Sequence, residues 1–322
     1  MTGAADPAAV LRFTTQAFPP SARSGSLHEL HEQGLLPVRP LPGRVPHVDI
    51  LKMRLPGASV LAGTFAGVRQ VGDLGSGGAA DDLVLGLNRS GCSLAVRRSR
   101  EVWLGAGDAV VVDPDAGVFS IVRRAPAQII GVRMPRRSIP VHPACFAAEP
   151  LRLVPGGTAA LRLLTAYLQG VLAGCPASSA PLADAVVSHV ADLIALCLDP
   201  HQAAASPRAA QSVRTARLAA LKTDIERRLT DPALSAATVA ARHGISTRYL
   251  HKLFEDEALS YSRFVLDQRL TLAHQRLRHR RFADRTIASI AGDCGFGDLA
   301  YFNRTFRRRY GRTPSEIRRD AG

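Results

Sequence analysis

Residues 235–257 read SAATVAARHGISTRYLHKLFEDE, and residues 288–310 read ASIAGDCGFGDLAYFNRTFRRRY. In the first stretch Ser235 has the chemistry of a helix N-cap. The short helix AATVAARH then stops at Gly244, the residue type that best adopts the left-handed conformation ending a helix. Ile245 packs the turn, and Ser246 caps a second helix, TRYLHKLFEDE. Leu250 and Phe254, four residues apart, share its inner face, which leaves Arg248, His251 and Lys252 on the opposite face. Helix, glycine turn and capped helix make a helix-turn-helix. The second stretch repeats the pattern. Ala288 begins a helix that Gly295 ends, Phe296 packs the turn, and Asp298 caps LAYFNRTFRRRY. Ala237, Val239, Ala240 and Gly244 match Ala288, Ile290, Ala291 and Gly295 at an offset of 51, while Leu250 and Phe254 match Phe302 and Phe306 at 52. One such pair occurs in many helical hairpins, but two in tandem are far more specific.

Between the pairs lies YSRFVLDQRLTLAHQRLRHRRF, residues 261–282. Its apolar positions Phe264, Val265, Leu266, Leu270, Leu272, Ala273 and Leu277 predict one helix over about 262–280. At 1.5 Å per residue it spans about 27 Å, a stiff spacer near the ~34 Å between successive major-groove windows on one duplex face. Charge points the same way. From Ser206 onward the chain carries 23 Lys and Arg against 12 Asp and Glu, a net +11, whereas the first 205 residues carry 18 against 15, a net +3. A nearly neutral body with a strongly basic end implies a polyanionic partner for that end.

The N-terminal half has a different texture. From His47 to Arg137, short apolar runs such as VDILKMRL, DLVLGLN and AQIIGVRMP alternate with Gly, Pro and Asp turns, which predicts an all-β barrel or sandwich. Residues 1–45, rich in Pro, Gly, Ser and Ala, are expected to be partly flexible. Helices are expected over Thr158–Leu172 and Ala183–Leu198. The second carries a stripe of Val186, Val187, Val190, Leu193, Ile194 and Cys197 that is either the core face of a helix packed on the barrel or a homodimer contact. Residues 201–213 have the composition of a linker. The expected division is thus a β domain over 1–150, a helical pair over 151–200, the linker, and an all-α domain over 214–322. The fold class is α+β multidomain.

The segment from about Leu218 to Arg319 resembles the DNA-binding domain of the AraC/XylS family of bacterial transcription regulators. The resemblance is carried by LSAATVAARHGISTRYLHKLFEDE, by the helix between the pairs, and by the pattern GF…D…YF.R.F…YG.TPSE.R. It covers about a third of the chain. The β region is similar, more weakly, to the cupin-like sensor domains of that family, best at EVWLGAGDAVVVDP with its Gly107-Asp108 turn. The resemblance implies a double-stranded DNA partner, contact with RNA polymerase, a small-molecule effector, a homodimer and, as the commoner mode, activation. It implies that Ser246, Arg248, Tyr249, His251 and Lys252 form the first DNA-reading helix, with Arg or Lys able to pair with guanine O6 and N7. Leu299, Ala300, Asn303 and Arg304 take the groove-facing positions of the second. Leu299 and Ala300 stand where family members often carry polar residues, so methyl contacts are expected at that half-site. Arg280, Arg281, Arg307 and Arg308 are assigned to phosphates, with Arg309 expected at phosphate or solvent. Thr313–Glu316 is assigned to a structural cap.

Other chemistry finds little support in the sequence. Five cysteines lie far apart, without CxxC spacing, as expected of reduced thiols in a cytoplasmic protein. No secretory signal or membrane span is read. The apolar run Ala183–Leu198 is broken by Asp184, His189 and Asp192. A cupin enzyme would need clustered His and carboxylate ligands, but His47 is alone in the barrel region. His28 and His31 lie in a polar segment, and GSGG at 75–78 lacks the Lys-Ser/Thr of a phosphate loop. Cys145 near His142 reads as a small buried thiol, and Trp103 as a barrel core residue. No catalytic residue, metal or cofactor is assigned. Two readings remain: a regulator switched by an effector, and a DNA-binding protein whose β domain serves only oligomerisation or protein contact.

Overall fold

The computed structural model describes residues 10–32, 35–73, 81–113, 117–141, 145, 151–174, 180–199, 207–231 and 233–320. The chain divides into two compact units, Met1–Ala216 and Arg217–Gly322.

Among the described residues the first unit is built on twelve strands: β1 (Val10–Thr14), β2 (Val38–Pro40), β3 (His47–Leu55), β4 (Ala58–Ala66), β5 (Val68–Asp73), β6 (Asp82–Ser90), β7 (Ser93–Arg97), β8 (Arg100–Leu104), β9 (Ala109–Val112), β10 (Val118–Arg123), β11 (Ala127–Pro135) and β12 (Leu151–Val154). They form two antiparallel sheets, β1-β3-β4-β11-β6-β9-β12 and β2-β5-β10-β7-β8. Buried residues from both sheets meet in two cores, one around Phe119, Ile121, Val110 and Leu104, the other around Phe65, Val68, Ile50 and Ile129. This is the cupin-like β architecture.

Glycine turns carry the chain between the sheets. The run SVLAGTFAGVRQV is cut at Gly67, where φ is +66°, into β4 of one sheet and β5 of the other. EVWLGAGDAVVV is likewise cut at Gly107, where φ is +92°. There the Asp108 carboxylate accepts from the Gly105 and Gly156 amides, both at 2.9 Å. On β8 the pleat buries Val102 and Leu104 and turns Trp103 outward, 62% exposed, so Trp103 is not a core residue.

Several boundaries shift. The N-terminal segment is structured from Val10: β1 pairs with β3, and α1 (Arg23–Glu32) buries Leu27 and Leu30 against the sheets. The β domain extends past residue 150, because β12 pairs with β9. Two helices follow, α2 (Ala159–Gly174) and α3 (Ala180–Leu198). The α3 stripe is a core face. Val186, Val190, Leu193, Ile194 and Cys197 are buried, while Val187 is half-buried. By length and composition α3 can span a bilayer, yet half of its apolar window is buried within the protein. Its buried Asp192 accepts a hydrogen bond from the Ser212 hydroxyl at 2.6 Å. Of the expected linker, residues 207–213 are helical, inside α4 (Pro207–Arg227), and 201–206 lie outside the described residues. So do His142 and the 75–78 glycines. Cys145 is half-buried, its Sγ 3.6 Å from Asp199 Oδ2. Among the described residues no group of three or more His, Cys, Asp or Glu could hold a metal ion.

The second unit continues from α4 through α5 (Ala236–Arg242), α6 (Thr247–Glu255), α7 (Tyr261–Arg278), α8 (Ile287–Asp293), α9 (Leu299–Tyr310) and α10 (Pro314–Arg319). It holds two cores. Leu218, Leu221 and Ile225 of α4 pack with Val239, Leu250, Phe254 and Phe264. Leu270, Ala273 and Leu277 pack with Ile290, Ala291, Phe302 and Phe306. Helix α7 supplies its first half to one core and its second half to the other.

Candidate nucleic-acid interface

The two helix pairs are built alike. The Ser235 side chain accepts from the Thr238 amide, Thr238 returns the bond in a capping box, and α5 ends before Gly244 at φ +62°. Ser246 then caps α6, its Oγ accepting from the Tyr249 amide at 3.1 Å. In the second pair the cap of α8 is Thr286, so this helix starts at Ile287, one residue before the predicted Ala288. Gly295 ends it at φ +87°, and Asp298 caps α9 by accepting from the Tyr301 amide at 3.0 Å. The Tyr301 and Ala300 amides hold the Asp298 carboxyl below the usual aspartate range, so the cap stays ionised at the helix start. Thr313 and Glu316 form the expected capping box of α10.

Each second helix is two-faced. On α6, Leu250, Leu253 and Phe254 are buried, while Ser246, Arg248, His251 and Lys252 are exposed. On α9, Phe302, Thr305 and Phe306 are buried, and Leu299, Ala300, Asn303 and Arg304 share the exposed face. Tyr249 sits between the two states. It is half-buried, with the Arg217 guanidinium 5.5 Å from its ring centre. Tyr301, 44% exposed beside Leu299, is a further residue on the α9 surface, unassigned in the sequence because it reads like a packing aromatic.

Ion pairing separates the arginines. Asp224 holds Arg228 and Arg242, each at 3.0 Å. Burial raises its carboxyl, but hydrogen bonds from both arginines, helped by the charges of Arg242 and His243, outweigh that and hold it below the ordinary value. Asp267 holds Arg263 at 2.9 Å and Arg309 at 2.5 Å, and Arg309 also donates to Thr271 at 3.2 Å. Arg309, although exposed, is therefore tied to Asp267 and Thr271 of α7. Lys222 pairs with Glu257, Arg285 with Asp293, and Arg312 with Asp320. Among the described residues Arg248, Lys252, Arg280, Arg307 and Arg308 form no ion pair, and all five are exposed. Arg304 acts on Asp298 only through charge. Arg281 lies over the Phe282 ring at 4.6 Å.

Arg269 of α7 connects the halves. Its Nε donates to the Leu229 carbonyl at 3.1 Å, and its guanidinium lies against the Gly295 turn. A Cβ on Gly295 would sit 2.7 Å from Arg269 Nε, on a backbone that side chains rarely adopt. Gly295→Ala is expected to destabilise the unit by about 1–3 kcal/mol. Gly297→Ala, with nothing within 4 Å, should cost far less. Thermal melts of the two variants check the difference.

Comparison with known proteins places these elements. Residues 239–320 match a sequence model described as a helix-turn-helix domain, and residues 55–199 one described as an AraC-binding-like domain. The transcriptional activator RhrA of Rhizobium meliloti is 38% identical over 159 residues, 49% of this chain and 49% of RhrA. The transcriptional activator NphR of a Rhodococcus species is 26% identical over 234 residues, 73% of this chain and 66% of NphR. The HTH-type transcriptional activator RhaS of Escherichia fergusonii is 39% identical over 92 residues, 28% of this chain and 32% of RhaS. The chain thus spans about half the length of RhrA, and less than two thirds of each of the three.

Proposed function

This chain belongs to the AraC family of transcription regulators by both of its matched domains, and from that premise we propose that it is a sequence-specific DNA-binding activator whose β unit senses a small molecule. The observation that carries the reading is the exposure of Arg248 and Lys252, free of ion pairs, on a capped helix. Glu257, just beyond the end of α6, is engaged with Lys222 rather than with either of them.

In this reading α6 enters the major groove and offers Arg248 and Lys252 to guanine edges, with His251 as a further donor. Ser246 contributes through the helix start, since its hydroxyl already caps α6, and Tyr249 buttresses the helix. The second helix, α9, enters the next groove window on the same duplex face, with α7, 18 residues and about 27 Å long, as the spacer. There Leu299 and Ala300 meet thymine methyl groups, while Asn303 and Arg304 supply polar contacts. Arg280, Arg281, Arg307 and Arg308 neutralise phosphates. The protein acts as a homodimer in the cytoplasm, contacts RNA polymerase, and works by binding rather than by catalysis.

Arg248→Ala is expected to weaken operator binding by about 1–3 kcal/mol, roughly 5–150-fold, and to relax preference at one base position. Electrophoretic mobility shifts on the operator and on single-base variants measure both. An unchanged base preference would remove Arg248 from direct readout. A β unit that served only oligomerisation would show no small molecule that both raises the melting temperature of the full chain and alters DNA binding.

A further inference from the structure

The interior of the β unit holds a positive charge that no carboxylate among the described residues neutralises. Arg123, at the end of β10, is 2% exposed. Its Nε donates to Ser93 Oγ at 3.0 Å, and its Nη1 to Gln70 Oε1 at 2.5 Å. The guanidinium carbon lies 5.2 Å from the centre of the Phe65 ring. Ser93 in turn donates to Asn88 Oδ1 at 2.8 Å, and Asn88 Nδ2 donates to the Leu104 carbonyl at 2.9 Å. Every one of these partners is neutral. Among the described residues no Asp or Glu pairs with Arg123, and burial alone pulls its pKa down to about 10. Nη2 has no protein partner among the described residues. A buried cation without a counter-charge is costly, and an apolar residue of similar volume would serve packing better.

Arg123 opens onto a cavity of about 70 Å³ between the two sheets. The wall is mostly apolar, including Leu35, Leu61, Ile121 and Ile129. A second cation, Lys52 of β3, lines it from the opposite sheet and is 6% exposed. Burial, with the charges of Arg54 and Arg133, pushes the Lys52 ammonium down to about 8. Arg133, also in the wall, is held by Asp82 at 2.8 Å. An apolar chamber with two buried cations and one unused guanidinium edge matches an amphipathic anion. A planar carboxylate fits the guanidinium fork best. The volume, room for roughly five waters, restricts the guest to a compact molecule.

We propose that this cavity binds a small organic acid, its carboxylate on Arg123 with Lys52 adding charge and its apolar body against the leucine and isoleucine wall. The role of that acid as the effector rests on the regulatory reading above, but its binding does not.

The test is isothermal titration of the full-length protein with monocarboxylates of about three to eight carbons, straight-chain, branched and aromatic, each beside its primary amide. At least one acid is expected to bind one to one, and at least about tenfold more tightly than its amide. Arg123→Met should abolish that binding, and Lys52→Met should weaken it about tenfold. If Arg123→Met fails to fold by circular dichroism, the acid-to-amide ratio and Lys52→Met decide. Absence of binding by every acid, amides binding as well as acids, or undiminished binding by a folded Arg123→Met variant overturns the proposal. An acid that binds without changing operator affinity upholds the anion site and counts against the sensing role alone. Operator binding measured without any acid tests the DNA-binding reading separately.

Discussion

Raising the salt concentration from about 50 to about 200 mM is expected to lower operator affinity by roughly 10³–10⁵-fold. The magnitude follows from counting cations by what they already hold. Each phosphate neutralised by Lys or Arg releases condensed counterions, so the logarithm of affinity falls with the logarithm of salt at about 0.9 per contact. Arg248, Lys252, Arg280, Arg307 and Arg308 are exposed without ion pairs, Arg304 touches Asp298 only through charge, and Arg281 stacks on Phe282. Cations that reach base edges and cations that sit on phosphates alike displace condensed counterions, so a duplex engaging six or seven of these side chains reaches the lower end of the ~6–10 contacts that give such a slope. Arg307→Ala should reduce the slope by about one contact and weaken all sequences alike. Arg309→Ala should leave the slope unchanged and lower stability instead, because Arg309 is engaged with Asp267 and Thr271. Fluorescence anisotropy across a salt series measures each slope, and a flat profile for the wild type would be incompatible with phosphate-driven binding.

Phe302→Ala is expected to cost about 3–5 kcal/mol. Phe302 is fully buried at the centre of the second core, with its ring centre 4.9 Å from that of Phe296 and 5.4 Å from that of Phe306. Truncation leaves a cavity bounded by rings that cannot all move in. A domain of this size holds only about 5–15 kcal/mol in total, so the loss is a large share and corresponds to a melting point lower by roughly 15–30 °C. The neighbouring Tyr301→Ala, at 44% exposure, should stay within about 0.5 kcal/mol. Because α7 divides its apolar residues between two cores, the Phe302 lesion should strip helicity from α8 to α10 before the Phe254 core melts. Urea titration followed by circular dichroism, with hydrogen exchange to locate the loss, checks both magnitude and place. Equal, simultaneous loss in both halves would show that the cores act as one.

The helix pairs were legible in the sequence because their determinants are local. A cap, a glycine at positive φ and an apolar pair four residues apart lie within one short stretch. The β unit was legible as strands and turns, but not as sheets. SVLAGTFAGVRQV reads as one run, yet Gly67 sends its halves into different sheets, a choice set by distant strands. The strands β1 and β2 likewise depend on β3 and β5 as pairing partners. In the interface, Arg307, Arg308 and Arg309 look alike in sequence; Asp267 and Thr271, distant in sequence on α7, set Arg309 apart. Trp103 was misread as core because alternation within β8, rather than residue type, decides which side faces in. Arg123 gave no signal at all, since nothing in VFSIVRR distinguishes the buried arginine from its exposed neighbour Arg124.

The most direct measurement is enrichment of random duplexes on the full-length protein and on Arg248→Ala at fixed salt. The expected product for the wild type is a bipartite motif whose halves lie about one helical turn apart. One half, rich in guanine contacts, should carry more information, and Arg248→Ala should flatten that half while leaving the other. No enriched motif, or a motif unchanged by Arg248→Ala, would contradict reading by two unequal helices.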